Sequence, residues 1–211
     1  MDGNNRWSKL NNIDLKSSYK KGSEKLFKIV DRCFFHHKIK YVSAFALSSH
    51  NLSRPKKIIS PIIKLLDFYL DDFLNNSLRY KYNIKFIGNF EIFKTEIRTK
   101  IDIINNQNKY SKTLIIALNY SGSQDIINAA DQLKDNKNLK IHFSNLLSTS
   151  KYPNPDLLIR TGGYQRLSDY FLFQMNFTEL FFLNVLWPDL KNKSVDSIVA
   201  KYSKIERKFG K

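Results

Sequence analysis

Two stretches at opposite ends of the chain carry the residue types that hold phosphate oxyanions. From Asp156 to Leu190 the sequence reads DLLIRTGGYQRLSDYFLFQMNFTELFFLNVLWPDL, with Arg160 and Arg166 on either side of Gly162 and Gly163 and an aromatic and apolar run behind them. Guanidinium groups offer forked donors to oxyanions, neighbouring glycines expose backbone N–H groups, and an apolar run suits a dry wall. A diphosphate head on a hydrocarbon tail is the ligand that needs both. At the other end, Met1 to Trp7 reads MDGNNRW. Asp2 offers a hard oxygen ligand for Mg²⁺, Gly3 and Asn4 permit a tight turn that aims N–H groups at phosphate, and Arg6 adds a fixed positive charge.

The elements that must position these residues alternate between helical and strand periodicity, which predicts an α/β architecture with a largely parallel sheet. A helix is expected from Gly22 to about Lys38, with Leu26, Ile29, Val30 and Cys33 on one face, then a strand around Tyr41 to Leu47. Pro61 suits a first helical turn, and Ile62, Leu65, Leu66, Tyr69, Leu70, Phe73 and Leu74 give a broad apolar face. Ile84 to Ile87 and Thr113 to Leu118 read as strands with a helix between them, Gly122 to about Lys134 as a helix, and Leu157 to Ile159 as a buried strand. Ser194 is expected to cap a last helix that presents Val195, Ile198, Tyr202 and Ile205. In parallel sheets, ligands bind beyond the carboxyl ends of the strands. The SSHN segment at 48–51 and the RTGG segment at 160–163 both follow strands, so they are expected to converge.

Composition sets wider bounds. The chain has 211 residues, enough for one domain with a sizeable core, and no linker-like stretch divides it. Its net charge of +16 favours anionic partners, but the lysines are spread along the sequence rather than gathered in a stripe. A nucleic-acid-binding role therefore rests on charge alone and has no motif behind it. One cysteine, Cys33, excludes an intrachain disulfide and fits a reducing compartment. The start has no signal-peptide pattern and no apolar run is long enough to span a bilayer, so a cytoplasmic protein, at most peripheral to a membrane, is expected. His36, His37 and His142 have no second histidine or cysteine at metal-ligand spacing, which leaves them structural roles.

Four blocks now stand in order: MDGNNRW, FALSSHNLSRP at 45–55, ALNYSGSQDI at 117–126, and the 156–190 block with its RTGG, R-L-S and WPDL elements. One such block alone would be weak; four in sequence are hard to obtain by chance. On these residues the chain resembles the cis-prenyltransferases, the isoprenyl transferase family of undecaprenyl diphosphate synthase. The resemblance implies a single α/β domain whose central sheet is flanked by helices and encloses an apolar substrate tunnel, one face of the Ile62 to Leu74 helix serving as its wall. It implies condensation of isopentenyl diphosphate with an allylic diphosphate such as farnesyl diphosphate, dependent on Mg²⁺. The product would be a cis-polyprenyl diphosphate such as the undecaprenyl carrier of cell-wall lipid. A homodimer with peripheral membrane contact for product release, and no nucleic-acid partner, goes with this reading.

Residue by residue, the resemblance puts Asp2 at the metal-binding aspartate and Gly3, Asn4, Asn5, Arg6, Trp7 and Tyr19 around the allylic substrate. Glu179 falls at a second acidic metal position. Arg160, Arg166, Leu167 and Ser168 fall where isopentenyl diphosphate is held, and Ser48, Ser49, His50, Leu52 and Arg54 on the substrate loop. Asn51 occupies the position assigned to the proton acceptor, although an amide is a very weak base and a substrate diphosphate oxygen a better one.

The sequence also departs from that pattern. Relatives usually carry an arginine and then Gly-His after the first motif, where this chain reads LKSSYKKG, with Lys16, Ser18 and Tyr19. SSENW becomes SSHNL, the acidic residue after RTGG becomes Tyr164, and NYGGR becomes NYSGS with Ser123 in place of an arginine. These changes keep a second class open, a non-catalytic accessory subunit of the same fold; retention of Asp2, Arg6, Arg160, Arg166, Ser168 and Glu179 argues against it. An apolar strand usually leads into MDG in relatives. Without it, Asp2 is expected to lack a fixed backbone and to lie beside a positively charged terminal amine.

Overall fold

The structure is a computed structural model that describes residues 1–52, 54–76, 79–135 and 142–209. Its centre is β3 (Thr113–Tyr120), eight residues long and buried at each position. A strand buried on both faces reads as a continuous apolar run, and TLIIAL is one. β1 (Tyr41–Ser48) and β2 (Asn83–Ile87) pair with it in parallel on either side, in the order β1-β3-β2. α3 (Lys56–Asn75) connects β1 to β2, and α4 (Thr95–Asn105) connects β2 to β3. β4 (Leu157–Arg160) and β5 (Glu179–Phe182) form a second parallel ladder, so the described strands fall into two sheets. The β5 strand was not expected from the sequence, where its residues merge into the aromatic run.

Side-chain alternation along β3 divides the core. Leu114, Ile116 and Leu118 face a large cluster with Val30, Phe34, Leu70, Phe73 and Ile101, built by α2 (Leu15–Asp31) and the π-helical turn that follows it, α3 and α4. Ile115 and Ala117 face a smaller cluster with Tyr170, Phe171 and Met175. Tyr120 joins the second cluster against the alternation, because Asn119 at φ 47 turns the chain out of strand geometry. Two polar side chains on the buried β2 are satisfied internally. Lys85 donates to the backbone oxygens of Asn105 and Gln107 at its helix-ward end, and Asn83 accepts the N–H groups of Lys109 and Tyr110.

Several element boundaries differ from expectation. The second helix starts at Leu15 rather than Gly22, because Asp14 caps it by accepting from the Ser17 N–H, and a π-helical turn at Arg32–His36 ends it. Pro61 lies inside α3, whose N-cap is Pro55; its ring sits one turn in rather than at the first turn. The last helix, α6 (Asn192–Tyr202), has Lys191 at its N-cap position and Ser194 in its first turn. The stretch after Gly3 is not merely a turn: it continues as the helix α1 (Asn4–Leu10), and α5 runs Gly122–Asp135. The aromatic run is shared out rather than lining one cavity, with Tyr170, Phe171 and Met175 in the core and Leu172, Phe173, Phe177 and Leu180 exposed.

Candidate active site

The site is organised around Asp2, whose backbone is fixed on both sides. Its N–H donates to Thr161 Oγ1 (3.1 Å), the Thr161 hydroxyl donates to its carbonyl (2.9 Å), and the Trp187 N–H donates to the same carbonyl (3.0 Å). Thr161 is 1% exposed, so this anchor is out of water. The expectation of a loosely held Asp2 is therefore corrected. Burial lowers the Met1 amine to about 6, with Asp2 opposing and Arg160 adding to the fall.

Gly3 and Gly162 let the two ends of the chain meet. Gly3 has φ 115, and a Cβ on it would lie 2.9 Å from Leu186 Cδ2. Gly162 has φ 92, and a Cβ there would lie 2.6 Å from Arg6 Nη2 and 3.1 Å from Asp2 Cβ. In the space that Gly162 leaves, Arg6 donates to the Gly162 carbonyl (2.7 Å) and stands 3.7 Å from Asp2 Oδ1. From the end of β4, Arg160 reaches Asp2 Oδ2 (3.1 Å) and Ser168 Oγ (2.8 Å) and donates to the backbone oxygen of Arg166. Arg160 is mostly buried at 13% side-chain exposure, while the Asp2 carboxylate stays half-exposed. The acids nearest in sequence have other partners: Asp156 pairs with Arg207, and Asp169 lies 3.7 Å from His50.

Asp169 ties two further blocks to this end of the molecule. Its carboxylate accepts from the N–H (2.8 Å) and hydroxyl (2.7 Å) of Ser123, and its carbonyl accepts from the Gly122 N–H (2.8 Å), so it caps α5 from a distant loop. His50, in the turn after β1, approaches it at 3.7 Å. Burial pushes the Asp169 carboxyl up, but hydrogen bonds from Ser121 and Ser123 and the His50 charge outweigh that and lower it. Sequence reasoning had not given Asp169 this part; its neighbours Ser168 and Phe171, all three at positive φ, mark a loop held in an unusual path.

The remaining expected residues divide into two groups. Ser48, Ser49 and Asn51 form the turn after β1, where the Asn51 amide oxygen accepts the Ser48 N–H at 3.4 Å and closes a capping box. Tyr19 lies against Arg54, and burial raises its hydroxyl pKa against that charge. Asn5 is exposed beside Arg6. Others serve packing. Trp7 is 4% exposed and donates from its indole to Asp189 (2.9 Å), Leu52 packs on the larger core and Leu167 on the smaller. Asn4 stands against Gly22, whose missing side chain lets α2 close on α1 and Trp187.

Glu179 lies on the neighbouring strand. It opens β5 opposite Leu157, three residues before Arg160, roughly 10 Å along the strand. The Asp2 carboxylate by itself fits Mg²⁺, which is commonly bound by one or two carboxylates with waters and substrate phosphates. A different cluster, His36, His37 and Asp196, brings ligand atoms within 4.8 Å, which histidine spacing alone did not reveal. Arg32 there occupies both Asp196 oxygens (2.9 Å each), which makes it an ion-pair network.

These features define an α/β protein in which Arg6 and Arg160 gather around Asp2 at the carboxyl end of β4. Residues 1–210 match the family model described as "Putative undecaprenyl diphosphate synthase". The isoprenyl transferase of Helicobacter pylori (strain ATCC 700392 / 26695) is 36% identical, over 100% of this chain and 94% of its own length. Dehydrodolichyl diphosphate synthase 3 of Arabidopsis thaliana is also 36% identical, over 100% of this chain and 74% of its own. The crystal structure of lavandulyl diphosphate synthase from Lavandula x intermedia in complex with dimethylallyl diphosphate superimposes with a TM-score of 0.90 at 28% identity, covering 100% of this chain and 95% of that one. The chain belongs to the undecaprenyl diphosphate synthase-like prenyltransferase family. Among the described residues no helix is long and apolar enough to cross a membrane.

Proposed function

We propose that the protein condenses isopentenyl diphosphate with an allylic diphosphate, farnesyl diphosphate by preference, to make a cis-polyprenyl diphosphate of the undecaprenyl type for cell-wall lipid carrier. The observation that carries this reading is the convergence of Asp2, Arg6, Arg160 and Ser168, drawn from both ends of the chain, on one half-exposed position. Arg6 and the α1 N-terminus hold the allylic diphosphate; Arg160, Arg166 and Ser168 hold that of isopentenyl diphosphate. The allylic C–O bond breaks and its electron pair leaves with the diphosphate. The isopentenyl double bond attacks the resulting cation to form the new C–C bond, and a proton passes from the adjacent carbon to a diphosphate oxygen. Fixed guanidinium charge stabilises the departing anion without any covalent intermediate. Asp2 would hold Mg²⁺, which when bound supplies further positive charge to the leaving group.

The growing chain needs an apolar enclosure, and the half-buried Ile63, Leu66, Tyr69 and Leu74 of α3 support that helix as its wall. The exposed Leu172, Phe173, Phe177 and Leu180 around β5 support a homodimer. Incorporation of radiolabelled isopentenyl diphosphate onto farnesyl diphosphate, with Mg²⁺ and with EDTA, tests the activity. Mg²⁺-dependent product is expected. Its complete absence with farnesyl, geranyl and dimethylallyl primers would refute catalysis and leave the accessory-subunit reading.

A further inference from the structure

Tyr164 stands between two arginines that come from separate parts of the site. The Cζ of Arg6, on α1, lies 4.9 Å from its ring centroid, and the Cζ of Arg166, in the loop after β4, lies 4.1 Å from it. Both distances fall within cation–π range. The ring is 44% exposed and belongs to neither hydrophobic cluster, so packing does not account for its position. Gly162 and Gly163, both at positive φ, turn the chain so that the next residue meets these side chains. A carboxylate at the same place would also attract two guanidiniums, but it would cancel one of their charges. An aromatic face attracts cations while leaving their charge available to an incoming anion.

We propose that Tyr164 is a positioning residue whose ring holds Arg6 and Arg166 together as a clamp for diphosphate. The proposal rests on the reading that these arginines face diphosphate substrates, and it deepens that reading: one neutral ring couples the arginine of the allylic site to that of the isopentenyl site. Loss of the ring then weakens both substrates together, whereas loss of either arginine weakens mainly its own.

The test compares Tyr164→Phe, Tyr164→Leu and Tyr164→Glu. Binding of inorganic diphosphate is measured by calorimetry, and the Michaelis constants for the two substrates by steady-state kinetics. Phenylalanine keeps the ring and is expected to match wild type. Leucine is expected to weaken diphosphate binding about five- to thirtyfold, from two lost cation–π contacts, and to raise both Michaelis constants in parallel with kcat little changed. Glutamate, which pairs with the arginines, is expected to bind diphosphate more weakly than phenylalanine does. Tyr164→Met repeats the leucine measurement should leucine lower the thermal midpoint. Leucine and methionine variants that bind like wild type, or a phenylalanine variant as weak as leucine, overturn the proposal. Diphosphate binding with this order but no turnover overturns the enzymatic reading alone; no diphosphate binding by the wild-type chain overturns both.

Discussion

Alanine at Gly162 is expected to weaken diphosphate binding severely while destabilising the fold only somewhat more than alanine at Gly163 does. Both glycines have positive φ, 92 and 81, so an L side chain at either costs on the order of 1 to 3 kcal/mol. For a chain of this size that lowers the thermal midpoint by about 2 to 12 °C. The surroundings differ. At Gly163 the nearest atom to a new Cβ is Asn184 Oδ1 at 3.3 Å, in otherwise open space. At Gly162 the Cβ falls 2.6 Å from Arg6 Nη2 and 3.1 Å from Cβ and Cγ of Asp2, whose backbone is fixed. The guanidinium ends a flexible side chain and can swing aside at little cost to stability, but it then loses the Gly162 carbonyl and its place beside Asp2. If Arg6 holds diphosphate, one lost charge-assisted hydrogen bond is worth about 1.5 to 3 kcal/mol, or about ten- to hundredfold in affinity. Thermal unfolding of both variants, with calorimetric titration of inorganic diphosphate, separates the shared strain from the specific displacement. Equal loss of affinity in Gly162→Ala and Gly163→Ala, or none in Gly162→Ala, would refute the assignment of Arg6.

Asp2→Ala is expected to abolish turnover with little change in thermal midpoint, because Thr161 and Trp187 hold the backbone of residue 2 rather than its side chain; it should also tighten inorganic diphosphate in EDTA, since Arg6 and Arg160 lose their internal counter-ion, and retained turnover would sink its role. At Asp196, hydrogen bonds from Arg32 and His37 lower the carboxyl to about 2. A depressed acid contributes stability that is present above its unfolded value near 3.8 and lost as pH falls through about 2. Asp196→Asn should therefore lower stability at neutral pH and flatten its decline between about pH 4 and 2, and acid-unfolding curves of identical slope would count against the network. Cys33 is buried and its thiol is pushed up to about 11, chiefly by burial; maleimide at pH 7.5 is expected to label it only on unfolding, and rapid labelling of the native protein would contradict that placement.

The grouping of the charged side chains was legible in the sequence because clusters that could hold an anion draw on few residue types. Arginines beside paired glycines, and Asp-Gly-Asn near an arginine, have few other uses in combination, and the structure brings Asp2, Arg6 and Arg160 together as those types suggested. The parallel strands were legible too, since β3 is buried on both faces and so reads as an unbroken apolar run. Boundaries were harder. Asp14 outcompeted Gly22 as the start of α2, and Pro61 proved compatible with a helix interior, because caps and neighbours act over distances that periodicity does not record. Only the tertiary structure decided the pairings. A chain with 35 basic and 19 acidic residues offers many ion pairs, and which of them form depends on where loops from opposite ends meet. That is why Asp156 went to Arg207 and Asp169 became the cap of α5. It is also why Tyr164, which in sequence is only a departure from a motif, stands between two arginines that lie 160 positions apart along the chain.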